Sequence, residues 1–309
     1  MKNCLLLLLA MSIGFTSNAT DIDTTSLLDQ ELILQELVEE VLTNQNLDVR
    51  QESSDELEVY LERILNDKAS YKHEFSRVRG ISIVQPENKK FRIFTWQLYV
   101  DKDNYQYKGF IQTAEGKVFK LQDKSADMRT VEFSLLKPEN WYGALYYNLQ
   151  PFKHEGEDMY LLFGYDAFEF YNRRKVVDVL YFDSSGRPRF GKTLLEMKDG
   201  RGRKRNVKRF LLEYSSSVNV SLNYDKTQEL VIFDHLIYGS PIKGGGPSSV
   251  PDGSYCGMKL TKSGTWEYVD KVYKDDPANV LINATNYDEM INNASEPKKK
   301  KKDIFGRSK

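Results

Sequence analysis

The sequence predicts a mainly β fold, a large antiparallel and sandwich-like body behind an N-terminal helical segment. Aromatic residues make up 12 % of the chain, led by 19 Tyr and 16 Phe, and flat rings pack well on a pleated surface. Short apolar runs bounded by turn residues recur from about Gly80 onward. Helix-period patterns stop before that point, so the alternation that builds a parallel βαβ sheet is missing.

Residues 1–19 read as a secretory signal peptide. Lys2 supplies a positive start and residues 4–15 are almost wholly apolar. Ser17 and Ala19 then place small residues at the −3 and −1 positions of a cleavage site before Thr20. A membrane span needs about 20 apolar residues, more than this run offers. Cys4 precedes the run, so it is not the lipid-bearing Cys of a lipoprotein. The expectation is a chain cleaved after Ala19 and exported, periplasmic or secreted, with no transmembrane span in its mature form. Cys256 would then have no partner in its own chain, which excludes a disulfide scaffold and a multi-Cys zinc site.

Two amphipathic helices follow. Leu34, Leu37, Val38 and Val41 fall on one helical face, with Ser26 as N-cap and Asp29 in the first turn. Leu57, Tyr60, Leu61 and Ile64 form a second face, behind Ser53 and Glu56 at capping-box spacing. The strands begin after them. Residues 91–100 and 105–113 flank the turn Asp101-Lys102-Asp103-Asn104, and residues 118–121 extend the meander. Further strands are expected over 144–149, 159–164, 176–182, 210–214, 218–224 and 229–237. The predicted organisation is a signal peptide over 1–19, an acidic helical segment over 20–75 and an antiparallel β domain over 76–275. An Asn-rich, then polybasic tail expected to be disordered completes it over 276–309.

Charge is sorted along this plan. Residues 20–67 hold 14 acidic and 2 basic residues, whereas the chain from Lys68 onward has a net charge of +10. Arg201, Arg203, Lys204, Arg205, Lys208 and Arg209 concentrate the positive excess in residues 198–209 and are the candidate anion- or partner-binding residues. The acidic helices are one candidate counterion for that run, an acidic glycan or an envelope protein another. Nucleic acid is a poor partner for an exported chain.

Several segments, taken in order, resemble one family. They are Trp141-Tyr142-Gly143-Ala144-Leu145-Tyr146-Tyr147, Leu161-Leu162-Phe163-Gly164-Tyr165-Asp166, Val176-Val177-Asp178-Val179-Leu180-Tyr181-Phe182, Gly186-Arg187-Pro188-Arg189-Phe190-Gly191, Phe233-Asp234-His235-Leu236 and Val250-Pro251-Asp252-Gly253-Ser254-Tyr255. Together they resemble an uncharacterised family of secreted proteins from Bacteroidetes-type bacteria, over residues 141–266. The resemblance implies a usually acidic residue where this chain has Cys256, and it implies no catalytic role for any position.

No motif specifies a reaction. Asp234, His235, Asp252 and Tyr255 are the candidate catalytic residues, yet Asp234 and His235 are strand neighbours and should point to opposite faces. Cys256 has no His nearby in sequence and reads as a small core residue. His73, His154 and His235 lie too far apart for a metal-binding spacing, and Tyr105 and Gln106 break the calcium-loop pattern begun at Asp101. Neither a metal nor a cofactor is expected. Lys243-Gly244-Gly245-Gly246-Pro247 continues into Val250-Pro251-Asp252-Gly253 and reads as a long surface loop, a binding-site candidate. Trp96, Trp141 and Trp266 are either core residues or a sugar-stacking platform. The functional expectation is a non-enzymatic interaction or structural module of a bacterial envelope. The alternatives are a secreted hydrolase with dispersed Asp, Glu and His, and a glycan-binding module.

Overall fold

The computed structural model describes residues 26–198, 202–239 and 249–273, and the chain divides into two compact units, Met1–Gly80 and Ile81–Lys309. The expected signal peptide, the polybasic tail, Arg201 and the glycines at 244–246 lie outside the described residues.

In the first unit, α1 (Leu27–Thr43) packs against α2 (Leu47–Asn66). Leu34, Val38 and Val41 on α1 and Leu57, Leu61, Ile64 and Leu65 on α2 are buried. Ser26 and Asp29 cap α1 reciprocally. The start of α2 corrects the sequence expectation. Asn46 is the N-cap, accepting from Asp48 N, while Ser53 and Ser54 are buried inside the helix. The chain then returns along α1, where Arg77 N donates to the buried carboxylate of Glu31 and Arg79 N to Gln35. Gly80 ends the unit at φ +100°, where a Cβ would lie 2.7 Å from Val38 Cγ1. Only glycine meets both conditions.

The second unit is mainly β, with three sheets that are antiparallel apart from one parallel bridge. The first sheet is a meander of β1 (Ser82–Val84), β2 (Phe91–Asp101), β3 (Asn104–Thr113) and β4 (Val118–Gln122). The central sheet contains β5 (Leu145–His154), β6 (Glu157–Asp166), β7 (Asn172–Phe182) and β8 (Pro188–Phe190). Next come β9 (Leu195–Lys198) and β10 (Lys204–Val207), then β11 (Arg209–Ser215), which returns to the central sheet beside β7. The third sheet joins β9 and β10 to β12 (Leu222–Asp225), β13 (Leu230–Tyr238), β14 (Ser249–Leu260) and β15 (Trp266–Val269).

The central sheet is covered on both faces. Leu161, Phe163, Val177, Val179 and Phe210 share one core with Val231, Phe233, Met258 and Trp266 of the third sheet. Tyr146, Tyr160, Leu162, Val176 and Leu180 share the other with Phe91, Ile93, Tyr107 and Ile111 of the first. Burial on both sides is why β6 and β7 read as nearly unbroken apolar runs rather than as alternating strands. Trp96, Trp141 and Trp266 are all at most 1 % exposed, so they serve as core and not as a sugar platform. Residues 249–255 correct the loop expectation, because they open β14.

Candidate functional site

Three register irregularities interrupt the ladders, and two of them aim residues of interest. In β13 the pairing jumps from Asp234↔Tyr255 to Leu236↔Pro251, so His235 stands opposite the excursion Asp252-Gly253-Ser254. His235 Nδ1 lies 2.8 Å from Asp252 Oδ2, and Asp252 Oδ1 accepts from Ser254 Oγ at 2.7 Å and Ser254 N at 2.9 Å. Burial works to raise the Asp252 carboxyl, but the bonds from Ser254 and His235 outweigh it and hold the group at about 2. Asp234 points elsewhere: it is buried, accepts from Ser221 N, and is raised by burial. The carboxylate that orients His235 is therefore Asp252. Ser254 and His235 bond to the same carboxylate, whereas an activated serine would bond to the imidazole itself. Tyr255 stacks edge-on against Tyr273. Cys256 is 2 % exposed and accepts from Tyr268 Oη, and burial pushes its thiol up, away from the reactive thiolate.

The basic run is largely neutralised where it stands. Lys198 pairs with Asp270, Lys204 with Glu196 and Arg205 with Glu132. Arg209 corrects the expectation of a surface cation. It is fully buried, 2.6 Å from Asp178 Oδ2 through Nη2, and donates through Nη1 to Val131 O. Its register places it directly opposite Asp178 on β7, inside the doubly covered sheet. Arg203 and Lys204 are exposed and Lys208 is half-buried. Among the described residues no three His, Cys, Asp or Glu side chains converge as a metal site, and no helix is long and apolar enough to cross a membrane.

Sequence reasoning missed a different cluster, where β6 turns into β7. Asp166 is buried and accepts from Tyr142 Oη at 2.6 Å, Tyr107 Oη at 3.1 Å and Phe168 N at 2.9 Å. Burial raises the Asp166 carboxyl, and burial together with the Asp166 charge raises both phenols, so the tyrosines stay protonated donors. Arg174 Nη1 donates to Tyr142 Oη, its fork engages Glu213, and its guanidinium lies 3.2 Å from the Phe168 ring centroid. These contacts hold Phe168 at φ +51°, a strained conformation for an aromatic residue. The loop so fixed displays Phe170, 46 % exposed, whose N donates to Asp103 in the β2–β3 turn. Tyr99, 43 % exposed, lies 5.6 Å from the Tyr105 ring.

Two further cations, Arg173 and Lys175, stand on the opposite face of β7 from Arg174. Arg173 Nη1 donates to the carbonyls of Ala167, Asn172 and Glu169, and its guanidinium is 5.9 Å from the Tyr105 ring. Lys175 Nζ sits 4.7 Å from the Tyr147 ring and 5.4 Å from that of Tyr165. Tyr147 is the extra residue of a bulge in β5, between Tyr146↔Gly164 and Asn148↔Phe163. Burial lowers the Lys175 amine to about 8. The sequence signal for this group is the Arg173-Arg174-Lys175 triplet, which is shorter than the basic run at 198–209. No protein family, curated protein or solved structure matches this chain.

Proposed function

We propose that the protein is an exported, non-enzymatic interaction module of a bacterial envelope, allied to the secreted Bacteroidetes-type family it resembles. The observation that carries the reading is the exposure of Phe170 on the β6–β7 loop and of Tyr99 near the end of β2, with Lys102 Nζ 5.8 Å from the Phe170 ring and Arg173 5.9 Å from the Tyr105 ring that neighbours Tyr99. Exposed aromatic surface rimmed by cations is a feature of interaction sites, and the buried Asp166–Tyr107–Tyr142 network preorganises this one. The signal-peptide pattern of residues 1–19 supports export. A hydrolase is the second reading, favoured by the His235–Asp252 pair.

The test mixes purified mature protein with isolated envelope fractions and measures co-sedimentation. Wild type should pellet with the envelope, and the Phe170→Ala/Tyr99→Ala double variant should stay in the supernatant. Equal sedimentation of the two would overturn the assigned face. Exported material should begin at Thr20 on N-terminal sequencing, and retention of Met1 would overturn cleavage.

A further inference from the structure

We propose that Lys175 and Arg173 form a receptor for a carboxylate carried by an acidic ligand. The inference rests on the interaction-module reading and names the chemistry its face would recognise. Neither cation has a carboxylate partner among the described residues, in contrast to Lys198, Lys204, Arg205 and Arg209 of the basic run. The carboxylates near this part of β7 are engaged elsewhere. Asp166 takes Tyr107 and Tyr142, Glu213 takes Arg174, and Glu169 accepts from Asn172 Nδ2.

Both cations meet at Tyr165. Lys175 lies over its ring, and the Arg173 charge draws its phenol down against the raising effect of burial. Residues 173 and 175 are two apart on one strand and so share a face. Arg173 is fixed by backbone carbonyls and Lys175 by two aromatic rings, which removes much of the ordering cost of binding. Tyr147, Tyr165, Arg173 and Lys175 are all half-buried, so each keeps part of its surface in contact with solvent. The bulge that brings Tyr147 to Lys175 is a device that recurs where strands aim side chains at ligands. A half-buried ammonium without a counterion is unfavourable for the fold alone, and a bound carboxylate supplies the missing charge.

The test titrates the full mature protein by calorimetry with sodium glucuronate, a glucuronate-bearing oligosaccharide, glucose and inorganic phosphate. Both acids should bind, glucose should not, and phosphate should bind no tighter than glucuronate. Lys175→Met should weaken acid binding at least tenfold, while Lys204→Ala/Arg205→Ala should change it less than twofold. Oligosaccharide binding more than tenfold tighter than glucuronate would identify a polysaccharide source, and equal binding a small acid. Acylation footprinting supplies a readout that altered packing alone would not move: saturating glucuronate should slow Lys175 acylation in wild type at least threefold. Absence of acid binding, preference for phosphate, or unchanged affinity in Lys175→Met would overturn the receptor. Co-sedimentation that still depends on Phe170 and Tyr99 would then leave the broader interaction reading standing.

Discussion

Lys175 and Arg209 are two cations set in the same central sheet, and their neighbours give them opposite consequences. Arg209 is opposite Asp178 and fully buried with it. Removing one partner of such a pair leaves a buried charge uncompensated and costs about 3–5 kcal/mol. Asp178→Asn should lower unfolding stability by that order in urea titrations, and Asp178→Leu/Arg209→Met should recover most of the loss. Lys175 has aromatic rings in place of an acid. Its amine is lowered to about 8 in the folded state, against about 10.4 in an unfolded chain. Below pH 8 both states are protonated and the fold bears the cost of desolvating the ammonium; above about 10.4 both are neutral and that cost is gone. Stability conferred at this position therefore rises with pH between these values. Lys175→Met should stabilise the protein at pH 7 by on the order of 1–3 kcal/mol, and the difference from wild type should vanish above pH 10.5. Urea titrations of both proteins across that range measure it. At pH 8 about half of the Lys175 amine is neutral, so competitive acylation read by mass spectrometry should find it faster than the exposed lysines.

Among the elements, α2 shows how a sound local signal misleads. Ser53 and Glu56 have capping-box spacing, but the helix already extends six residues before Ser53 and begins behind Asn46. A capping pattern says that a helix can start there, and buried Arg50 shows that packing continued it upstream. Asn46→Ala should therefore cost about 1 kcal/mol and speed amide exchange in the first turn of α2 about fivefold. Glu56→Gln should leave those amides unchanged. The strands β1, β8, β9, β10 and β15 are three or four residues long, too short for periodicity to reveal. In β14, Pro251 and Gly253 carry turn chemistry, and the strand accommodates them through the excursion opposite His235. That excursion also made the Asp–His pair illegible: adjacency in sequence pointed to Asp234, whereas register chose Asp252.

For the whole molecule, three stacked sheets give the central one two cores. Core substitutions there should be costly on either side, and Phe163→Ala should destabilise the β unit by roughly 3–5 kcal/mol in denaturant. The unit Ile81–Lys309 carries both cores, so a fragment spanning residues 81–273 should retain a β circular-dichroism spectrum and unfold cooperatively on heating. A fragment that melts without cooperativity would show that the helical unit is needed to complete the fold.

Sequence alone determined the features that depend on near neighbours: the two amphipathic helices with Ser26 capping the first, the Asp101–Asn104 turn, and the aromatic-rich antiparallel strands. Each is set by side-chain period or by bonds spanning a few residues. Tertiary structure decided what depends on the facing side chain. It paired Lys198, Lys204 and Arg205 of the basic run with carboxylates at the surface, buried Arg209 against Asp178, and left Lys175 against two tyrosines. The physical reason is that a charge in sequence carries no information about its counterion. Coulomb energy depends on distance and surroundings, and both are fixed only when sheets stack and registers lock.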